Sequence, residues 1–358
     1  MSETDSITKS SVRKRDVAMQ DGVTLKFKQA FGVNGPIRDN VMFVRTPDDF
    51  SKEKEVLMYQ VGQKVAMYSP EDGKQTFLNG DKRNSNARSV LGLAQSPNKK
   101  FIAVCEKCGP TDGAQVSVFY ISTCNRIRTM IFPSKGDFSS VVFSGDSKML
   151  VTVSEAPDSQ LVVWAWEKEK ISMSTNLTSK VTRISCSAFS TATNLQITAT
   201  GHGYLRLWTV AGGTNLKQQA LVSQAQEHEN FTDHCWLTSS KECMAAVTEG
   251  STGSTSRTAS ILLFRTTEEA PFLELQKKIP VLLRGKTRLE CIANYGKGFI
   301  LGGTNGFFSV YEKNDDRKDP YMLIKTFYYQ TESFYSICAS ANDEQVSGVH
   351  RLAQHCAA

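Results

Sequence analysis

The chain has 358 residues, 40% apolar and 22% charged, with a formal net charge of +6, a globular composition rather than a fibrous or low-complexity one. The charge is spread along the sequence, so it admits an acidic partner without demanding one, and the aromatics are needed elsewhere; nucleic-acid binding is not expected. No apolar run approaches the ~18 to 20 residues of a bilayer crossing, so no membrane association is expected either. Nine cysteines, mostly inside apolar strands as at Cys186, Cys235, Cys243, Cys291 and Cys338, read as reduced small hydrophobes of an intracellular compartment.

Residues 1–22, MSETDSITKSSVRKRDVAMQDG, lack the apolar middle of a secretory signal and are predicted to be a disordered lead-in. A strand TLKFKQAF follows, then VMFVRT, EVLMYQV and KVAMY around the charged loop PDDFSKEKE. The next unit is VLGLAQ, the turn SPNKK, FIAVCEK, a longer loop through Gly109, Pro110 and Gly113, and QVSVF. After it come VVFSGDSKMLVTVSE, the turn APDS and QLVVWAW. The clearest unit is ISCSAFS, TATN, LQITAT, GHGY, LRLW, AGGTN and LKQQALV, four strands joined by three tight turns. The following unit inserts GSTGSTSRTAS, residues 250–260, ahead of ILLF; such a tract has nothing to pack and is predicted to be a mobile loop. LECIANYGKGFILGG, a TNG turn and FFSVYEK make the sixth unit, with YMLIKTFYY as its outer strand. YSICASANDEQVSG opens a further unit in which no third strand is visible before VHRLAQHCAA.

Six third strands end in an apolar-x-apolar-aromatic run, closing at Tyr68, Phe119, Trp164, Trp208, Phe264 and Tyr311. The intervals are 51, 45, 44, 56 and 47 residues, near the ~40 to 45 residue period of a four-stranded propeller blade. A lone meander cannot bury both faces, so the units must stack in a ring. The fold class is therefore all-β: a β-propeller over residues 23–348 with six clear four-stranded blades plus a partial seventh, and an irregular tail at 349–358. Each closing aromatic should fill the wedge between adjacent blades, contributing roughly 1.5 to 3 kcal/mol. An unfinished last blade would leave a bare edge, and TLKFKQAF is predicted to close the ring as its outer strand.

The repeats resemble WD-repeat propellers, although the aromatic is followed by Ser69, Tyr120, Ala165, Thr209, Arg265 or Glu312 and never by Asp. The Gly-His pair occurs once, at Gly201 and His202, on a turn unsuited to the usual hydrogen-bond tetrad. AFGVNGPIRDNVMFV, SVLGLAQSPNKKFIAVCEK, VVFSGDSKMLVTVSEAPDSQLVVWAWEKEK and GYLRLWTV together resemble the amino-terminal propeller of the cilia- and flagella-associated protein 57 family, an axonemal WD-repeat family. The resemblance covers about residues 28–340 and is carried most by SPNKKFIAV and SQLVVWAWEKEK. It implies a non-catalytic interaction scaffold of the motile-cilium axoneme that supports assembly or regulation of inner dynein arms. The implied location is cytoplasm, cytoskeleton and the axoneme of a cilium or flagellum; the implied partners are axonemal proteins, among them inner-arm dynein components and tubulin. Members of the family add a second propeller and a long coiled coil, for which this sequence has no counterpart, so a truncated form, a fragment or an alternative product is expected. The alternative reading is a general cytosolic WD-repeat adaptor unrelated to cilia.

No catalytic, metal or cofactor residue is predicted. Cys105 and Cys108 have the spacing of two zinc thiolates, but no second pair follows, so one strand thiol and one loop thiol are expected. The histidines, His202, His228, His234, His350 and His355, are not placed beside a nucleophile and an orienting group. His228 and His234, with Glu227, Glu229 and Asp233 nearby, are expected to be solvated. Gly201, Gly203, Gly302 and Gly303 sit in propeller turns rather than in a phosphate loop. No convergent polar groups around the central channel are legible, and the chain is read as no enzyme. The candidate partner-binding residues are Lys99, Lys100, Lys277, Lys278, Arg284, Lys286, Arg288, Arg317 and Lys318, in loops or strand ends where propellers meet partners; acidic tubulin tails would be drawn to them and to residues 13–15. Arg257, three residues before Ser260, matches a spacing that basophilic kinases accept.

Overall fold

Apolar strands build the chain into antiparallel meanders, each strand pairing with the next one in sequence except around a two-residue strand in blade five. In the computed structural model the described residues are 39–47, 53–78, 88–109, 112–211, 215–221, 229–237, 243–252, 256–267, 273–316, 318–329, 333–340, 343 and 346–351. They fall within one compact unit, Val33–Ala358. The predicted lead-in, the strand TLKFKQAF and residues 352–358 lie outside them.

Blade one comprises β1 (Val41–Pro47), β2 (Glu53–Val61), β3 (Lys64–Ser69) and β4 (Lys74–Phe77). Blade two comprises β5 (Ser89–Gln95), β6 (Phe101–Lys107), β7 (Ala114–Tyr120) and β8 (Asn125–Phe132). Blade three comprises β9 (Phe138–Phe143), β10 (Leu150–Ser154), β11 (Gln160–Ala165) and β12 (Lys170–Asn176). Blade four comprises β13 (Val181–Cys186), β14 (Gln196–Gly201), β15 (Tyr204–Ala211) and β16 (Asn215–Ala220). Blade five runs through β17 (Phe231–Leu237), β18 (Cys243–Thr248), the two-residue β19 (Ser251–Thr252), β20 (Ser256–Thr266) and β21 (Leu273–Arg284). Blade six comprises β22 (Leu289–Tyr295), β23 (Gly298–Gly303), β24 (Phe307–Lys313) and β25 (Tyr321–Tyr328). A ribbon of β26 (Ser333–Ala339) and β27 (Val346–Arg351) follows, its second strand reaching three residues into the segment read as an irregular tail. First strands pack on one another from β5 through β9, β13 and β17 to β22, β26 packs on β22 on one side and β1 on the other, and blade one meets blade two through β3 and β5. Six blades and the ribbon thus form a ring with the first strands around its axis.

The hydrophobic core is divided among the blade junctions. Met58, Val65 and Met67 of blade one meet Ile102, Val104 and Phe119 of blade two. Blade two meets blade three around Val116, Phe138 and Trp164, and blade three meets blade four around Val151, Ile197 and Trp208. Leu205 and Leu207 meet Phe231 and Phe264, and Val281 and Leu283 meet Phe299 and Tyr311. In each case the closing aromatic lies against the preceding blade. Phe119, Trp164, Trp208, Phe264 and Tyr311 are all buried, whereas Tyr68 is half-buried.

Two local expectations are overturned. The apolar alternation of ISCSAFS predicted a strand through Ser190, but β13 ends at Cys186. The Ser187 carbonyl accepts from the Ser190 amide and the Ser190 hydroxyl accepts from the Gln196 amide, closing a turn instead. The described residues of the tract at 250–260 are not a free loop: β19 pairs Ser251 with Thr258, and β20 pairs with β21 from Ser256–Arg284 through to Thr266–Leu273. The twelve-residue β21 supplies backbone partners to residues 256–260 of the tract, which is what a Gly/Ser/Thr composition alone could not reveal. Ser260 is consequently buried at 7% exposure, its amide donating to Thr248 Oγ1 at 3.0 Å, so a kinase cannot reach it in the folded chain.

Candidate interaction surface and axial polar cluster

The two hairpins that open blades two and three use one turn chemistry. Ser96 Oγ donates to Asn98 Oδ1 at 2.7 Å, and Asn98 Oδ1 accepts from the Lys100 amide at 3.1 Å. Ser144 Oγ donates to Asp146 Oδ1 at 2.6 Å, which accepts from the Lys148 amide at 3.1 Å. Short polar side chains that bond their own backbone two residues on are what tighten such turns. The turns also bond one another: the Asn98 amide donates to Ser147 Oγ at 3.1 Å, and the Ala192 amide of blade four donates to Asp146 Oδ2 at 3.1 Å. Blades two, three and four are therefore laced together at this end of the ring.

Lys99 and Lys100 sit in the first of these turns, both exposed, with Lys99 at φ +64°. Lys318 lies in the β24–β25 turn at the same end, and Arg317 is outside the described residues. Lys277 and Lys278 are mid-strand on the outer edge of blade five and point to opposite faces. Lys277 Nζ bonds the Asp319 carboxylate and the Lys318 carbonyl, while Lys278 Nζ donates to Glu229 Oε1 at 3.0 Å. Arg284, Lys286 and Arg288 belong to the β21–β22 connection at the other end. Arg288 is paired with Glu249 at 3.1 Å and Glu290 at 3.6 Å. Arg284 lies over the Tyr328 ring at 4.8 Å, and the Tyr328 hydroxyl accepts from its amide at 3.3 Å. The eight described candidates are thus divided between two ends and an outer edge; exposed Lys99, Lys100, Arg284 and Lys286 carry charge that no carboxylate among the described residues pairs.

Sequence reasoning missed a polar cluster on the axis. Arg183 of β13 donates from Nη1 to both oxygens of Asp233 on β17, at 2.8 and 2.9 Å, and from Nη2 to Asp39 Oδ1, just before β1, at 2.8 Å. Asp233 Oδ2 also accepts from the Ile292 amide of β22 at 2.9 Å. Four first strands or their approaches are joined by one guanidinium. Burial would lower the Arg183 pKa, but the carboxylates of Asp233 and Asp39 outweigh it and hold the group charged.

Beside this pair, His234 Nε2 meets Ser185 Oγ at 2.6 Å and Thr198 Oγ1 at 2.9 Å, and Nδ1 meets Thr200 Oγ1 at 3.0 Å. Trp236 Nε1 donates to Thr198 Oγ1 at 3.1 Å. Asp233 and His234 are both 0% exposed, correcting the expectation that they are solvated: β17 begins at Phe231, so both are inner-strand residues covered by blade four. His202 is exposed, while His228 and His355 lie outside the described residues. The hydroxyls hold the imidazole and Arg183 engages the nearby carboxylate, an arrangement that ties blades four, five and six together.

Cys105 and Cys108 face different surroundings. Cys105 belongs to the junction of blades two and three. Cys108 Sγ donates to Gln115 Oε1 at 3.5 Å, and Gln115 Nε2 in turn donates to buried Glu106 at 2.6 Å. Burial, with Glu106 adding to it, pushes the Cys105 thiol far up and the Cys108 thiol to about 11. Glu106 also accepts from the Ser117 hydroxyl and from Arg126 Nη2 at 2.7 Å. Among the described residues no group of three or more His, Cys, Asp or Glu side chains is placed to hold a metal ion.

No family model matches the chain. It is 29% identical over 212 residues to cilia- and flagella-associated protein 57 of Mus musculus, covering 58% of this chain and 16% of that protein. It is 24% identical over 169 residues to cilia- and flagella-associated protein 44 of Chlamydomonas reinhardtii, covering 46% and 9%. The chain therefore spans under a fifth of the length of these curated relatives. Among solved structures, the RRP9 WD40 repeats align with a TM-score of 0.60 at 14% identity, covering 86% of each chain. A chain of the mitotic checkpoint complex aligns with a TM-score of 0.58 at 12% identity, covering 96% and 95%. The fold is a WD40-type propeller, and the chain resembles the WD-repeat region of cilia- and flagella-associated protein 57.

Proposed function

We propose that the chain is a non-catalytic interaction scaffold of the motile-cilium axoneme, supporting the assembly or regulation of inner dynein arms. The observation that carries this reading is that a propeller ring is joined, in one sequence, to similarity with two cilia- and flagella-associated proteins. The geometry supports it in a second way. The polar groups on the axis are engaged in holding blades together, whereas the uncompensated cations Lys99, Lys100, Arg284 and Lys286 lie at the two ends, where a propeller meets partners.

In this reading the exposed cations approach acidic surfaces of axonemal proteins, tubulin tails among them, through a salt-sensitive attraction. Lys277 and Lys278 contribute less, since carboxylates already meet them. The test is fractionation of detergent-extracted axonemes carrying the tagged chain, with microtubule co-sedimentation at two salt concentrations. Retention on the axoneme and pelleting at low salt only is the expected result. Release of the chain with the soluble fraction would overturn the axonemal reading; pelleting indifferent to salt would overturn the role of the cations.

A further inference from the structure

The outer strand of blade six differs from every other outer strand in the ring. Met322, Leu323 and Ile324, consecutive on β25, are 54%, 49% and 46% exposed. Elsewhere the exposed large apolar residues of outer strands are single or well separated: Phe77 on β4, Ile131 on β8, Ile171 on β12, and Leu275 and Leu282 at opposite ends of β21. Single exposed apolar residues are ordinary, but three in a row on a sheet edge are not. Among the described residues β25 pairs with β24 only, so its other side carries a row of backbone donors and acceptors, broken by the register shift at Ile324.

The ribbon does not cover this edge. It is two strands wide, packs on β22 and β23 and reaches β24 where Phe334 meets Phe308 at 6.2 Å; among the described residues nothing covers β25 beyond it. There Phe308 and Phe327 are in ring contact at 6.0 Å, both half-buried. Lys325 Nζ sits 4.9 Å from the Phe327 ring centre, and no carboxylate among the described residues pairs with it.

We propose that the outer edge of β25 is a strand-addition site for an extended segment of a partner protein in which apolar residues alternate with carboxylates. Main-chain hydrogen bonds would supply the affinity, the Met322–Leu323–Ile324 run the apolar contact, and Lys325 the register and the preference for acid. A second copy of the chain is the poorer occupant. Antiparallel self-pairing centred on Leu323 would set Lys325 opposite the Tyr321 position of the second copy, with no carboxylate directly across from it, whereas an acidic segment supplies one. A lysine on an edge strand is a known guard against such self-pairing. This site is separate from the basic ends of the ring and stands or falls independently of the axonemal reading.

The probe is a fluorescein-labelled peptide of alternating valine and glutamate, titrated with the whole chain by fluorescence anisotropy. Its controls are a valine–lysine peptide and a valine–glutamate peptide N-methylated on one edge. The expected result is saturable binding of the first, roughly tenfold weakening by Lys325→Glu or by Leu323→Lys, and transfer of preference to the lysine peptide in Lys325→Glu. Both substitutions are at exposed positions, and unchanged thermal melting verifies that the variants fold. Equal binding of the N-methylated or the lysine peptide, or no binding of the first, overturns the proposal. So does concentration-dependent self-association in sedimentation that Leu323→Lys abolishes, because the occupant would then be a second copy.

Discussion

The junctions between blades one and six and the sector where the ribbon stands are built from the same repeat, yet they pack differently. At the five junctions a closing aromatic is buried against the blade before it, as Trp208 is against Val151 and Val163. In the ribbon sector the buried cluster shrinks to Cys291, Ile300 and Ile337, with Phe308, Phe334 and Tyr295 only partly covered. Met67 faces blade two, so its neighbour Tyr68 faces the ribbon, and Tyr68 is the one closing aromatic left half-buried. The aromatic is set by the repeat, but its burial depends on the width of the sheet opposite. Close to the axis the ribbon is tight: a Cβ added at Gly302 would lie 2.4 Å from Ile337 Cδ1 and 2.8 Å from Cys291 Sγ. Farther out, nothing among the described residues meets the blade as closely.

This contrast can be broken by measurement. Trp208→Ala is expected to cost about 3 to 5 kcal/mol in chemical denaturation, the range for deleting a buried aromatic. Asp233→Asn should follow at about 3 kcal/mol, the low end for breaking a buried ion pair, because Arg183 keeps Asp39. Arg183→Met combined with it should cost less than the two single losses added, and strict additivity would show that the axial groups are not coupled. Tyr68→Ala is expected to cost about 1 to 2 kcal/mol, less than full burial of an aromatic would imply. Should it match Trp208→Ala, the ribbon sector is packed as fully as the other junctions.

What was legible in the sequence follows from range. The turns SPNKK and SGDSK are legible because the hydrogen bonds that shape each of them close within five residues, as from the Phe101 amide to Ser96 Oγ and from the Met149 amide to Ser144 Oγ. The closing aromatics were visible because each recurs at a fixed place in its own unit. Arg183, Asp233 and Asp39 were not, since 50 and 144 positions separate the partners and only the ring brings them together. A polar residue near the start of a strand was taken to meet water, but the first strand of a blade starts on the axis, where other first strands cover it. The basic candidates could be assigned to loops; which of them already had carboxylate partners depended on contacts such as Lys278 with Glu229, 49 residues apart.

The smallest expected effect tests the lacing of the turns. Burial would raise the pKa of Asp146, but hydrogen bonds from Ser144 Oγ, the Lys148 amide and the Ala192 amide outweigh it and hold the carboxyl below the usual aspartate range. A carboxylate whose pKa is lower folded than unfolded stabilises fully above the unfolded value, near ~3.9, and that contribution disappears as pH falls through the folded value beneath it. Asp146→Asn should therefore melt slightly below the parent chain at pH 7, with the gap closing only on the acid side of that range. Because the Ala192 amide belongs to blade four, the gap measures a bond between blades as well as one within a turn. A melting difference that stays constant from pH 7 to the acid limit would mean that the charge of Asp146 does not contribute, and the lacing of blades three and four would then rest on backbone bonds such as that from the Asp146 amide to the Ser190 carbonyl.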